Sequence, residues 1–173
     1  MILDSITDGE FRPLMRWLLT NIHEHGCLFS TQELLIRATG RKLDPEAFKS
    51  VIDLFIEHYR KEQIDLVVGI ESRGFIVGAP LALGLDKGFI PVRKAGKLPG
   101  PTHGVEYELE YGTDLVEVHK DAIEKGSRVL MVDDLLATGG TMEGSSKLIE
   151  KAGGIINGYA FVIELIDLKG RSR

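Results

Sequence analysis

The feature that most constrains this 173-residue chain is the alternation of short apolar runs with glycine turns and helical stretches from residue 65 onward. Strands that are apolar almost throughout are typical of a parallel sheet whose two faces are both covered. We therefore predict an α/β fold with a mainly parallel central sheet flanked by helices. The predicted strands are 65–70, 88–92, 128–134 and 158–165, and the predicted helices are 74–84 and 139–152.

A β-hairpin is predicted between two of these strands. The runs 105–111 and 114–119 alternate apolar and polar residues on either side of Gly112. The segment before them, 93–104, is rich in Gly, Pro and Lys and is predicted to be a long mobile loop. It carries Arg93, Lys94, Lys97 and His103 with no acidic residue between them, which favours an anion-binding lid over an ordinary solvated loop.

The N-terminal part has a different pattern, so we divide the chain into a helical region, 1–63, and a core, 64–173. The second long helix of this region is predicted to start at Asp44 as the cap and Pro45 in the first turn. One face of the first helix is predicted from apolar residues spaced three and four apart, namely Leu14, Met15, Leu18, Leu19 and Ile22.

Composition excludes several classes of protein. The net charge of −5 argues against general binding of nucleic acids. The single cysteine, Cys27, permits neither an intrachain disulfide nor a multi-cysteine zinc site. No apolar stretch approaches the length of a membrane-spanning helix, and the first residues lack the pattern of a secretory leader. We therefore expect a cytoplasmic protein without nucleic-acid or membrane partners.

The segment VLMVDDLLATGGT, residues 129–141, carries most of the predicted chemistry. An apolar strand delivers Asp133 and Asp134 at its carboxyl end, where open α/β sheets bind ligands. A turn with two glycines and two threonines then leads into a helix, and backbone N–H groups in such a turn form a phosphate cradle. The two carboxylates suit ribose hydroxyls, a hydrated Mg²⁺ ion or developing positive charge. The alternative is a plain strand-turn-helix whose glycines only permit the turn.

This segment resembles the 5-phosphoribosyl-1-pyrophosphate (PRPP) motif of the type I phosphoribosyltransferases. Three further segments are similar to the adenine-using branch of that family, and the similarity runs from about Pro45 to Gly170. It implies the type I fold, with residues 1–63 as a base-binding hood and 64–173 as the PRPP-binding core. It also implies purine salvage, in which adenine and PRPP give AMP and pyrophosphate. The segments are GIESRGFIVGAPLALGL (69–85), PVRKAGKLPGPT (91–102) and YELEYG (107–112).

The resemblance also implies roles for individual residues. The catalytic groups would be Glu110 as acid/base, with Arg73 and Lys94. The peptide between Glu71 and Ser72 is often cis in the family. PRPP would be bound by Asp133 and Asp134 at the ribose, by Ala137, Thr138, Gly139, Gly140 and Thr141 at the 5′-phosphate, and by Glu71, Ser72, Arg73, Lys94, Lys97 and Tyr111 around the pyrophosphate.

Base recognition is where the chain departs from the family pattern. Leu28 and Phe29 would form the base pocket, but Ser30 and Thr31 stand where the family has a basic residue and an aspartate. A different purine, hypoxanthine or guanine, therefore stays open as the substrate. A PRPP-sensing regulator without turnover is a second alternative, which the retained lid and acid/base segments disfavour. The resemblance further implies Mg²⁺ carried by PRPP and water, no protein metal site, and a homodimer.

Overall fold

The structure is a computed structural model that describes residues 45–108 and 112–172 and seven single positions before them. The chain divides into two compact units, residues 1–48 and 49–173. Among the single positions, Pro13, Arg16 and Trp17 are helical, as are Glu33 and Ile36. Most of the predicted first helix, and the predicted cap Asp44, lie outside the described residues. The predicted boundary between a hood and a core at residue 63 stays a prediction.

From Glu46 onward, the described chain contains three α-helices and six β-strands. The long helix that begins after Pro45 is α1, and two short 3₁₀ turns, 166–168 and 170–172, end the described chain. The elements in order are α1 (Glu46–Tyr59), β1 (Leu66–Ile70), α2 (Arg73–Leu85), β2 (Gly88–Lys94), β3 (Thr102–Glu108), β4 (Thr113–His119), β5 (Arg128–Leu136), α3 (Gly140–Lys151) and β6 (Ile155–Glu164).

The six strands form one sheet in the order β3-β4-β2-β1-β5-β6. Strands β2, β1, β5 and β6 run parallel, and the β3–β4 hairpin adds antiparallel pairing at one edge. This arrangement confirms the predicted α/β fold with a mainly parallel sheet and a hairpin. Gly112 has a φ of 91°, in the left-handed region that the hairpin turn requires.

The predicted loop 93–104 is wrong at both ends. Arg93 and Lys94 belong to β2, because they pair with Glu117 and Val116 of β4. His103 belongs to β3, where it pairs with Val118. Only residues 95–101 connect the two strands, since pairing with the distant strand β4 extends both of them into the glycine- and lysine-rich segment.

Apolar residues on adjacent positions of the central strands enter two separate cores, one on each face of the sheet. Val67 belongs to the core that contains Leu81 of α2, whereas Val68 belongs to the core that contains Leu148 of α3. Val67 and Val68 are both fully buried. Burial on both faces explains why these strands read as unbroken apolar runs. No described helix is long and apolar enough to span a membrane.

Candidate active site

A cavity of about 350 Å³ opens at the carboxyl ends of β1, β2 and β5. This is the edge of a parallel sheet at which ligands bind in open α/β folds. Most of the predicted PRPP-binding residues lie around this cavity. Those that line it are Glu71, Ser72, Arg73, Lys94, Asp133, Asp134, Ala137, Thr138, Gly139, Gly140 and Thr141.

The predicted phosphate cradle connects β5 to α3. Gly139 has a φ of 84°, which L side chains rarely adopt, and Gly140 begins α3. Thr138 and Thr141 line the cavity on either side of these glycines. The turn therefore presents hydroxyl groups and the first N–H groups of a 12-residue helix to the cavity, a combination that binds phosphate.

Two carboxylates at the end of β5, those of Asp133 and Asp134, line the cavity. The N–H of Asp134 donates a hydrogen bond of 2.9 Å to Oδ1 of Asp133. Burial raises the pKa of Asp133, and the neighbouring charge of Asp134 raises it further, against the opposing effects of that N–H and of Arg73. Asp134 forms an ion pair with Arg73, whose Nε lies 2.5 Å from Oδ2. The pair connects the end of β5 to the first residue of α2.

Glu71 lines the cavity and also contacts the end of β2 and the loop that follows it. Its side chain, 9 % exposed, lies 3.1 Å from Arg93 Nη2 and 2.8 Å from Lys97 Nζ, and it accepts a 2.8 Å hydrogen bond from the N–H of Lys94. Burial raises the pKa of Glu71, but the hydrogen bonds from Lys97, Lys94 and Arg93 outweigh burial and hold it at about 2. The peptide between Glu71 and Ser72 is cis, as the resemblance implies.

Two residues that the sequence analysis missed also line the cavity. Asp114 lies 2.8 Å from Lys94 Nζ through its Oδ2, and Tyr107 donates to the same oxygen at 3.4 Å. The pairing of β3 with β4 places Tyr107 and Asp114 directly opposite each other. The predicted hairpin did not contain this information, because its runs, 105–111 and 114–119, place residue 111, not Tyr107, opposite Asp114.

The remaining predicted site residues lie outside the cavity or outside the described residues. Glu110 and Tyr111, the predicted acid/base and closing residue, lie outside the described residues, as do Leu28 and Phe29 of the predicted base pocket. Lys97 contacts Glu71 but does not line the cavity. Within 45–108, 112–172 and the single described positions, no group of three or more His, Cys, Asp or Glu side chains could hold a metal ion.

Comparison with known families gives two matches. The profile of the phosphoribosyl transferase domain matches residues 42–164, which include the cavity described above. The profile of the Carboxypeptidase Taq (M32) metallopeptidases matches residues 2–54, less than half of the chain. Leu28 and Phe29 precede the phosphoribosyl transferase match, so their predicted role draws no support from it.

Individual relatives agree with the first match. An adenine phosphoribosyltransferase of Clostridium botulinum is 59 % identical over 130 residues, which cover 75 % of this chain and 76 % of the relative. The adenine phosphoribosyltransferase of Nitrosomonas europaea is 57 % identical over 130 residues, which cover 75 % of this chain and 75 % of the relative. These identities extend over most of both proteins.

Solved structures of adenine phosphoribosyltransferases have the same fold. The enzyme of Rhodothermus marinus has a TM-score of 0.72 at 55 % identity, covering 75 % of this chain and 74 % of its own. The Saccharomyces cerevisiae enzyme, solved with adenine and an imino-altritol bisphosphate, has a TM-score of 0.70 at 49 % identity, covering 75 % and 76 %. Together with the profile match, these similarities confirm the predicted family and fold: the chain belongs to the type I phosphoribosyltransferases and, among them, to the adenine phosphoribosyltransferases.

Proposed function

We propose that this chain transfers the phosphoribosyl group of PRPP to N9 of adenine and releases pyrophosphate, forming AMP in purine salvage. The observation that carries the proposal is the convergence of three groups on one cavity. These are the carboxylates of Asp133 and Asp134, the phosphate cradle at 137–141, and the basic side chains of Arg73 and Lys94. The same cavity lies within the region matched by the phosphoribosyl transferase profile.

The ribose 5-phosphate half of PRPP is proposed to bind to β5 and α3. The 5′-phosphate accepts hydrogen bonds from the turn and from the first N–H groups of α3, near Gly139 and Gly140. Asp133 and Asp134 accept hydrogen bonds from the ribose hydroxyls. As the bond at C1′ lengthens, the sugar ring gains positive charge, and the nearby carboxylates stabilise that charge.

The reaction exchanges one bond at C1′ for another. The bond between C1′ and the pyrophosphate oxygen breaks, and its electron pair leaves with pyrophosphate. N9 of adenine forms the new bond, and the proton on N9 passes to the carboxylate of Glu110. Arg73 and Lys94, which line the cavity, stabilise the departing anion through charge-assisted hydrogen bonds. Lys97 would join them, as the family resemblance implies. The roles of Glu110 and of Tyr111, which would cover the closed site, follow from the family resemblance.

Mg²⁺ is proposed to enter with PRPP. The described residues offer carboxylate oxygens at Asp133 and Asp134, which are the hard ligands that Mg²⁺ prefers, but no third acidic or imidazole ligand beside them. This donor set fits an ion that is bound mainly by the substrate and water. When bound, the ion neutralises part of the negative charge of pyrophosphate.

The adenine base is proposed to bind the N-terminal region, residues 1–63, with Leu28 and Phe29 against the purine. Phe29 can pack on the base because aromatic rings attract each other in offset stacks. Ser30 and Thr31 replace the charged pair usual in the family. The base is therefore expected to depend on apolar contact more than on hydrogen bonds from this segment.

We further propose a cytoplasmic homodimer. PRPP is a highly charged metabolite that does not cross membranes, so its enzymes work where it is made. The helix α2 carries one charged residue, Arg73, in 13 residues, yet Ile76 is 63 % exposed and Leu83 is 83 % exposed. Such an apolar stripe is typical of a surface covered by another copy of the chain. Light scattering of the protein and of Leu83→Glu, expected to be monomeric, tests this part.

The first experiment measures AMP formation from adenine, PRPP and Mg²⁺, beside hypoxanthine and guanine. Adenine is expected to react in preference to both other purines. Asp134→Asn is expected to reduce turnover by about 100-fold, since it removes a charge next to the reacting carbon. Asp53→Asn, an exposed change on α1, is the matched control and should leave turnover unchanged. PRPP binding without turnover on any purine would contradict the proposal.

A further inference from the structure

Asp114 is brought to the cavity by the antiparallel edge of the sheet. It lies opposite Tyr107 in the β3–β4 pair, while Lys94 lies opposite Val116 in the β2–β4 pair. Residues 114 and 116 share one face of β4, since side chains alternate along a strand. The side chains of Lys94, Tyr107 and Asp114 therefore converge on the same face, and all three line the cavity.

Both oxygens of the Asp114 carboxylate have donors. Oδ2 lies 2.8 Å from Lys94 Nζ and accepts a hydrogen bond of 3.4 Å from the Tyr107 hydroxyl. Oδ1 accepts a hydrogen bond of 2.9 Å from the N–H of Leu115. A carboxylate held at both oxygens has a fixed orientation, so it also fixes the position of the ammonium group that it binds.

Tyr107 extends this contact to the phosphate cradle. Its side chain is buried against α3, where a Cβ atom at Gly144 would lie 2.5 Å from the Cβ of Tyr107. Burial raises the pKa of the Tyr107 hydroxyl, and a hydrogen bond with the Thr141 side chain opposes that effect. One chain of contacts thus runs from Lys94 through Asp114 and Tyr107 to Thr141, between the two phosphate-binding ends of the cavity.

The contact restrains Lys94 without making its charge unavailable. Lys94 is 54 % exposed, and an unrestrained lysine loses much rotamer freedom when it binds a ligand. Ion pairs at such exposure are weak, so a multiply charged anion can replace the carboxylate as the partner of Lys94. When it does, Asp114 keeps the donors Tyr107 and Leu115 and is not left without hydrogen bonds.

We propose that Asp114, supported by Tyr107, is a positioning residue that holds the Lys94 ammonium group in the cavity for the departing pyrophosphate. The identity of the anion rests on the proposed function. Asp114 itself does not touch the reacting atoms. Its effect passes through Lys94, and this distinguishes it from a residue that binds PRPP directly.

A double-mutant cycle tests the proposal with the full chain. Binding of inorganic pyrophosphate with Mg²⁺ is measured by calorimetry, and kcat/KM for PRPP by AMP formation. Asp114→Asn is expected to weaken both by about five- to tenfold, but by less than about twofold when Lys94 is already replaced by Ala. The KM for adenine stays unchanged. Tyr107→Phe, which keeps the ring, is expected to cause a loss of about two- to threefold.

The controls separate positioning from folding. Asp121→Asn removes an exposed carboxylate just after β4 and should have no effect on binding or rate. Asp114→Glu, which keeps the charge, should recover part of the loss that Asp114→Asn causes. If Asp114→Asn does not fold, the cycle of Tyr107→Phe with Lys94→Ala gives the same test.

Each result decides the proposal. Equal losses with and without Lys94 would show that Asp114 acts independently of it. Tighter pyrophosphate binding by Asp114→Asn would show that Asp114 withholds Lys94 from the ligand, and an absence of pyrophosphate binding by the unaltered protein would also overturn the proposal. Coupling in pyrophosphate binding without AMP formation would contradict the proposed reaction alone. AMP formation without coupling would contradict the positioning role alone.

Discussion

The backbone of Gly74 lies directly against the carboxylate of Asp133. A Cβ atom at position 74 would be 3.0 Å from Oδ1 of Asp133 and 2.8 Å from the carbonyl oxygen of Val132. The first turn of α2 can approach the end of β5 this closely only because residue 74 has no side chain. The contact joins the Arg73 loop to the carboxylate that is proposed to bind ribose.

Gly74→Ala is therefore expected to displace Asp133 and to weaken PRPP binding by about tenfold or more, since backbone atoms on β5 cannot move aside. Calorimetry with PRPP and Mg²⁺ checks the affinity. Gly158→Ala on β6 is the matched control, because a Cβ atom there would make only ordinary contacts of 3.5 Å. Unchanged PRPP affinity in Gly74→Ala would show that the ribose site does not depend on this contact.

Gly139→Ala is expected to distort the phosphate cradle. Its φ of 84° costs an L residue about 1–2 kcal/mol, and its Cβ atom would lie 2.7 Å from the carbonyl oxygen of Gly170. Affinity for ribose 5-phosphate, measured by calorimetry, should fall by about tenfold or more. Gly126→Ala is the control, because Gly126 also has a left-handed φ, 89°, but no atom within 4 Å of an added Cβ atom. It therefore introduces the same backbone strain without a clash and away from the cradle. Equal affinities in the two variants would refute the prediction.

Gly144→Ala is expected to destabilise the fold although alanine favours helices. A Cβ atom at 144 would lie 2.5 Å from Cβ of Tyr107, and overpacking of this kind costs about 1–3 kcal/mol, against a gain of about 1 kcal/mol in helix propensity. Urea unfolding of the two proteins checks the difference in the free energy of unfolding. Greater stability of the variant would mean that α3 can move away from β3 at little cost.

The stability that Glu71 contributes is expected to depend on pH in the acid range. Its folded pKa of about 2 lies below the ordinary value of 4.5, so its contribution is present above pH 4.5 and is lost as the pH falls towards 2. The difference in unfolding free energy between the protein and Glu71→Gln should therefore be largest near neutrality and shrink below pH 4.5. Denaturant unfolding at several pH values measures it.

The exposed residue Glu124 provides the comparison for that series. Glu124→Gln removes one carboxylate from the loop after β4, far in sequence from the cations that surround Glu71. It shows how much of the measured change follows from removing any single exposed carboxylate. A difference for Glu71→Gln that stays constant from neutrality to pH 3 would contradict the assignment of the low pKa to Glu71.

Sequence was a good guide where the site is continuous along the chain. Asp133, Asp134 and the turn that follows lie within nine residues, so their placement needed only a correct strand and helix around them. The parallel strands were also predictable, because burial on both faces leaves unbroken apolar runs.

The remainder depends on pairing between distant strands. Arg93 and Lys94 read as loop residues because nothing near them in sequence shows that β4 pairs with them. Asp114 was missed for the same reason, since its partner Lys94 lies 20 residues away and is brought near by the sheet. Glu71 was predicted only as part of a pyrophosphate-binding loop. The structure shows that it accepts hydrogen bonds from the Arg93 and Lys97 side chains and from the N–H of Lys94.

The two sides of the cavity are built on strands that differ in their resistance to local unfolding. One side is carried by the β3–β4 hairpin at the edge of the sheet, and the other by β5. β5 lies between β1 and β6, and its residues 129–132 are fully buried. In contrast, β4 pairs with β2 through only two residues of β2, Arg93 and Lys94, among the described pairs. Local openings follow the least buried and least paired elements. Amide hydrogens of β3 and β4 should thus exchange with solvent sooner than those of β5. The groups proposed to bind pyrophosphate can then separate while those proposed to bind the ribose phosphate stay assembled.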